Sequence, residues 1–188
     1  MARMTEAPSA PLDPSEVVTF WKDAGPDKWF AKDEAFDAVI RSRFEATHMA
    51  AARRELDHWA DTAEGALALL ILLDQFPRNM YRGTAHAFAT DPLARCFAQR
   101  AVSRGFHREV EPQMRIFFGL PFEHSEYPKD QDAALALMRD LTDDDYKWAQ
   151  IHFDIIARFG RFPHRNACLG RETTAEEQAF LDGGGFAG

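Results

Sequence analysis

Two short stretches of this chain carry the same chemistry. QFPRN (residues 75–79) and RFPHRN (residues 161–166) each set an arginine and an asparagine just after Phe-Pro. A guanidinium is a planar fork of N–H donors that matches a carboxylate or a phosphate. His164 adds a ring able to gain charge near neutral pH. Arg78, Asn79, Arg82, Arg161, His164, Arg165 and Asn166 therefore compose a candidate site for a small anionic molecule, provided both turns face one cleft. A second account needs no ligand. Arg78 and Arg165 would pair with carbonyls left free at helix ends, and Asn79 and Asn166 suit tight turns. The sequence leaves both open.

The charge pattern sharpens the question. The chain carries a net charge of −8, yet residues 75–108 hold six arginines against one acid, Asp91. Residues 155–171 hold four arginines and no acid. Arginines packed together without counter-charge repel, and burying them unpaired is costly. The expected neutralisers are Asp74, one helical turn before Arg78, and Glu123 and Glu126 in EHSE (residues 123–126), with His124 or His164 at the edge of the cluster. Glu123, Ser125 and Glu126 read equally well as caps of a following helix. In the functional alternative His124 serves as acid or base.

Other chemistries lack their setting. No HxxxH or HExxH frames His124, His152 or His164, so no metal is expected. There is no GxSxG and no glycine-rich phosphate loop, and no cofactor is expected. Cys96 and Cys168 stand far apart, outside any CxxC. Cys96, beside Phe97, reads as core, and Cys168 lies in the arginine-rich loop. The acidic balance argues against nucleic acid, and Arg95, Arg100, Arg104 and Arg108 read as a solvated helix face.

These residues need elements to hold them, and every segment reads as helix. DPSEVVTFWKDAG opens on a cap, a proline and a box glutamate. Phe36, Val39, Ile40 and Phe44 step by three and four. Residues 66–73 are apolar on every side, which predicts a buried central helix ended by Pro77. Further helices are expected over residues 90–105, from about 128, over 142–160 and over 173–181. At 188 residues, 46% hydrophobic and 12% aromatic, the chain suits one all-α domain of seven to nine helices with a substantial core. The domain is expected over residues 13–182, with flexible tails at 1–12 and 183–188. The apolar run 66–73 is too short to span a bilayer. The first residues lack the apolar core of a signal peptide. A cytoplasmic setting with free thiols and no membrane partner is expected.

The long motifs ALLILLDQFPRNMYRGTAHAFATDPLA, FFGLPFEHSEYPKDQ and FGRFPHRNACLGRETTAEEQAFL resemble the bacterial family catalogued as domain of unknown function 924. The resemblance runs from about residue 17 to 181. It implies an antiparallel, tetratricopeptide-like helical array, and it brings no activity, ligand or catalytic residue to carry over. Two functional readings follow. One is a small-anion pocket built from the two FP turns and EHSE, enzymatic or not. The other is a helical scaffold that binds a protein segment in a groove, with the polar turns purely structural.

Overall fold

The structure, a computed structural model, describes residues 12–188. The N-terminal tail expected from the sequence lies outside them, apart from Leu12, whose amide donates to Thr47 Oγ1 at 3.2 Å. The described residues form an all-helical domain without a strand. Helix α1 (Pro14–Ala24) opens on the expected box of Asp13 and Glu16. The short α2 (Pro26–Trp29) leads to α3 (Glu34–Ala52), capped by Asp33. Next come α4 (Ala63–Leu70), capped by Thr62, and α5 (Phe76–Met80), then α6 (Asp91–Ser103), α7 (Ile116–Glu123) and α8 (Pro128–Met138). Helices α9 (Asp143–Phe159) and α10 (Ala175–Asp182) each begin with a capping box. No helix among the described residues is long and apolar enough to cross a membrane.

The predicted central helix is buried: each residue from Ala66 to Leu73 exposes 1% or less. It packs among α1, α6 and α7. Trp21, Phe20, Phe44 and Phe76 interlock on one side, with ring centroids 4.8–6.2 Å apart. A second, smaller core gathers Ile155, Ile156 and Phe162, with Ile151, Phe159, Phe180 and Phe186 against it. Phe186 belongs to the segment expected as a flexible tail; here the segment folds back onto α9. Cys96, expected in the core, is exposed, because α6 turns Ala94, Phe97 and Ala98 inward instead.

Pro77 does not end the central helix as expected. The chain passes from α4 through one π turn (Ile71–Gln75) into α5, and Pro77 lies in the first turn of α5. The reason is local. Proline lacks an N–H and crowds the carbonyls one turn back. Widening the turn relieves the crowding but leaves the carbonyls of Leu72 and Leu73 without a backbone donor from residue 77. Side chains supply the missing bonds: His48 Nδ1 donates to Leu72 O at 2.8 Å, and Thr90 Oγ1 to Leu73 O at 2.6 Å. The wide turn also carries Asp74 and Gln75 into the interior, 1% and 5% exposed. Extra turns of this kind recur at functional sites.

EHSE does not cap the next helix either. Glu123 is the last residue of α7, and α8 starts after Tyr127 with no side-chain cap. Gly119 of α7 leaves room for the end of Met138 from α8, since a Cβ there would fall 2.6 Å from Met138 Cε. RFPHRN follows Gly160, whose left-handed backbone (φ +69°) stops α9, and Pro163–Arg165 makes a single 3₁₀ turn.

Candidate functional site

The two FP segments meet on one carboxylate. Asp91, the first residue of α6, accepts from Arg78 Nη1 and Nη2 at 3.0 Å each. The same carboxylate accepts from Arg165 Nη1 at 3.3 Å. Phe88 lies against both guanidiniums, its centroid 5.7 Å from Arg78 Cζ and 4.6 Å from Arg165 Cζ. Phe162 lies 4.6 Å from Arg165 Cζ as well, so Arg165 is flanked by two aromatic rings.

Asp74, carried inward by the π turn, is the second anchor. Its carboxylate lies 3.3 Å from Arg78 Nη1, and its carbonyl accepts from the same nitrogen. His124, just past α7, points Nδ1 at both Asp74 oxygens, 2.9 Å from each. Burial opposes the Asp74 charge, but Arg78 and the His124 hydrogen bond hold the carboxyl well below its usual range. An ionised carboxylate only accepts, so the proton sits on Nδ1 and Nε2 keeps its lone pair. Burial and Arg78 lower the His124 pKa against the pull of Asp74, which keeps the ring neutral near pH 7.

A second histidine–carboxyl pair lies alongside. His152, on α9, has its centroid 6.2 Å from that of His124. Its Nδ1 is 2.9 Å from Trp148 O and 3.0 Å from Glu123 Oε1. Because the carbonyl only accepts, Nδ1 again carries the proton. Burial and the neighbouring His124 push the His152 pKa down to about 3. Burial and the Asp74 charge push Glu123 up to about 8, so at neutral pH it holds its proton. The cluster thus sets an ionised carboxylate, a protonated carboxyl and two neutral imidazoles side by side. Opposed carboxyl environments of this kind separate acid from base.

The arginines are unequally satisfied. Arg78 is surrounded by acceptors. Arg165 exposes 6% of its surface, and its Nη1–Asp91 contact is the one hydrogen bond its side chain makes among the described residues. Its Nε is buried without a partner. Burial, then Arg78, lower its pKa to about 10, so it remains a cation at neutral pH.

The structure brings together Arg78, Glu123, His124 and Arg165, with His164 on the turn that carries Arg165. The remaining predicted residues lie elsewhere. Asn79 and Arg82 turn to Asp37 on α3, at 2.7 Å and 2.9 Å. Arg161 and Asn166 bind Glu177 of α10, at 2.6 Å and 3.1 Å. Glu126 takes Arg171 at 2.7 Å and the Phe162 amide at 2.8 Å. These last contacts frame the second turn rather than line the cluster. A concavity of about 550 Å³ is lined by Arg161, Arg171 and residues 172–174, and includes neither Arg78 nor Arg165. Sequence reasoning missed Asp91, Phe88 and Phe186, and weighed His152 only as a metal ligand. For Asp91 a signal existed: it is the one acid among six arginines. Arg95, Arg100 and Arg104 keep to the solvated face expected of them, and from it reach Asp130, Asp61 and the Ala60 carbonyl.

Comparison with known proteins adds family and fold. The family model described as "Bacterial protein of unknown function (DUF924)" matches residues 17–185. A solved protein of unknown function from Agrobacterium tumefaciens is 54% identical, with a TM-score of 0.89, over 90% of this chain and 97% of that one. No curated protein matches.

Proposed function

The chain belongs to the DUF924 family of bacterial proteins, whose description names no activity, and from that premise we propose that the cluster is a small-anion site. The observation that carries this reading is the underpaired Arg165. The Nε and Nη2 donors of a guanidinium point along one edge, and among the described residues neither donor of Arg165 meets an acceptor, with Nε buried. A buried cation left this way calls for an oxyanion, carboxylate or phosphate. Arg78 holds Asp91 in place, and Asp91 holds Arg165. His124, oriented by Asp74, offers Nε2 as a base, and Glu123 offers a proton. A bound anion with an acidic O–H or an attacking water would find both groups within the cluster.

Thermal unfolding with added phosphate, sulfate or acetate tests the proposal. Ligand that binds only the folded chain raises Tm. The parent is expected to gain several degrees in one of these anions, and Arg165→Met to gain none. Equal shifts in both proteins would place the binding elsewhere. No shift in the parent would favour the scaffold reading.

A further inference from the structure

Phe186 occupies a seat of its own. Its ring centroid lies 4.5 Å from that of His152, 5.2 Å from His164 and 6.2 Å from Trp148, edge-on or tilted against each. The segment that delivers it is weakly held. Three glycines, 183–185, lead away from α10, and Gly184 takes φ +80°. The last backbone bond is Gly185 N to Phe180 O at 2.9 Å. Among the described residues, no hydrogen bond ties residues 186–188 to the domain. Packing therefore holds the segment, through the Phe186 ring and the close approach of Gly188 to His164, whose Nδ1 is buried without a partner among the described residues.

The seat and the Arg165 guanidinium share their walls. A single turn, Pro163–Arg165, presents His164 to the Phe186 ring and Arg165 to Asp91. Phe162 touches both the Arg165 guanidinium and His152, which itself faces Phe186. Resting on the anion reading above, we propose that this seat is the second half of the site: it takes the planar ring of an aryl-bearing anion, and entry of that ring displaces Phe186. The charged group would lie on the Nε–Nη2 edge of Arg165, and the buried His164 Nδ1 would gain a polar partner on the ligand. The tail is then the resident stand-in, covering two imidazoles and an apolar wall that would otherwise be wet.

The test uses three probes on the parent and on Phe186→Ala. Phenylphosphonate carries ring and charge, methylphosphonate the charge alone, and benzyl alcohol the ring alone. By calorimetry, emptying the seat should tighten phenylphosphonate about tenfold and leave methylphosphonate within about twofold. A phenyl-to-methyl affinity ratio unchanged by the substitution overturns the proposal. In the parent chain, 4-fluorophenylalanine placed only at position 186 should move to a solvent-exposed ¹⁹F shift on adding phenylphosphonate, and not on adding methylphosphonate. A resonance unmoved at saturating phenylphosphonate also overturns it. Benzyl alcohol separates this inference from the one it rests on. If it binds Phe186→Ala while neither phosphonate binds either protein, the ring seat stands and the anion reading falls. If it fails to bind Phe186→Ala, the seat falls whatever the phosphonates do.

Discussion

Arg78 and Arg165 share one carboxylate, yet their surroundings set opposite expectations. Arg78 neutralises both Asp74 and Asp91. Replacing it with methionine takes from the buried Asp74 and the half-buried Asp91 the cation they share, and should cost about 3–5 kcal/mol in urea unfolding. Arg165 is a buried cation with one 3.3 Å bond, while Asp91 keeps its bidentate partner without it. Arg165→Met should therefore shift stability by less than about 1 kcal/mol, in either direction. Similar losses in the two variants would mean that Arg165 is a structural ion pair. The arginines were legible in the sequence because acid-free stretches of an acidic chain stand out. Asp91 stood out only as their lone acid, since Asp-Pro before an apolar run reads as the start of a helix. It does start one, but its charge is spent on residues 13 and 74 positions away. Nothing local encodes those distances.

At the scale of elements the π turn is the decisive piece. Thr90→Val should leave Leu73 O without a donor and cost about 1–3 kcal/mol. Pro77→Ala restores an N–H at residue 77. In the background of that change the valine should cost markedly less, and the double-mutant cycle should show coupling between two residues that share only a carbonyl. Additive losses would show that the proline does not cause the wide turn. Caps, boxes and the buried run were readable because each is a local pattern. The passage through Pro77 was not, because a proline announces a missing donor and says nothing of who replaces it. His48 comes from α3 and Thr90 from the turn before α6. EHSE misled for a related reason: its carboxyl groups look like caps, but Glu123 and Glu126 are committed to His152 and Arg171.

For the molecule as a whole, the buried titratable groups predict how stability follows pH. Glu123 has a raised folded-state pKa, about 8 against an ordinary 4.5. Between these values the folded chain holds a proton that the unfolded chain has lost, so Glu123 makes stability fall as pH rises. His152 and His164 are depressed to about 3 from 6.5. There the unfolded chain binds the extra protons, so stability rises with pH up to about 6.5. Asp74, held low, adds stability that is lost only in acid. The window from about 6.5 to 8 belongs to Glu123. Stability should decline there by at most about 1.4 kcal/mol per pH unit. Glu123→Gln should flatten the decline, and a slope that survives the substitution would assign it to another group. Asp91 has a consequence of a different kind. It fastens the opening of α6 to the turn that follows α9, across a stretch of 74 residues. Weakened there by Asp91→Asn, which also costs Arg78 its bidentate partner, the opening of α6 and the turn after α9 should loosen together. Amide exchange at the start of α6 and over residues 163–166 would then quicken in step while α4 stays protected, showing two segments far apart in sequence to be one cooperative patch.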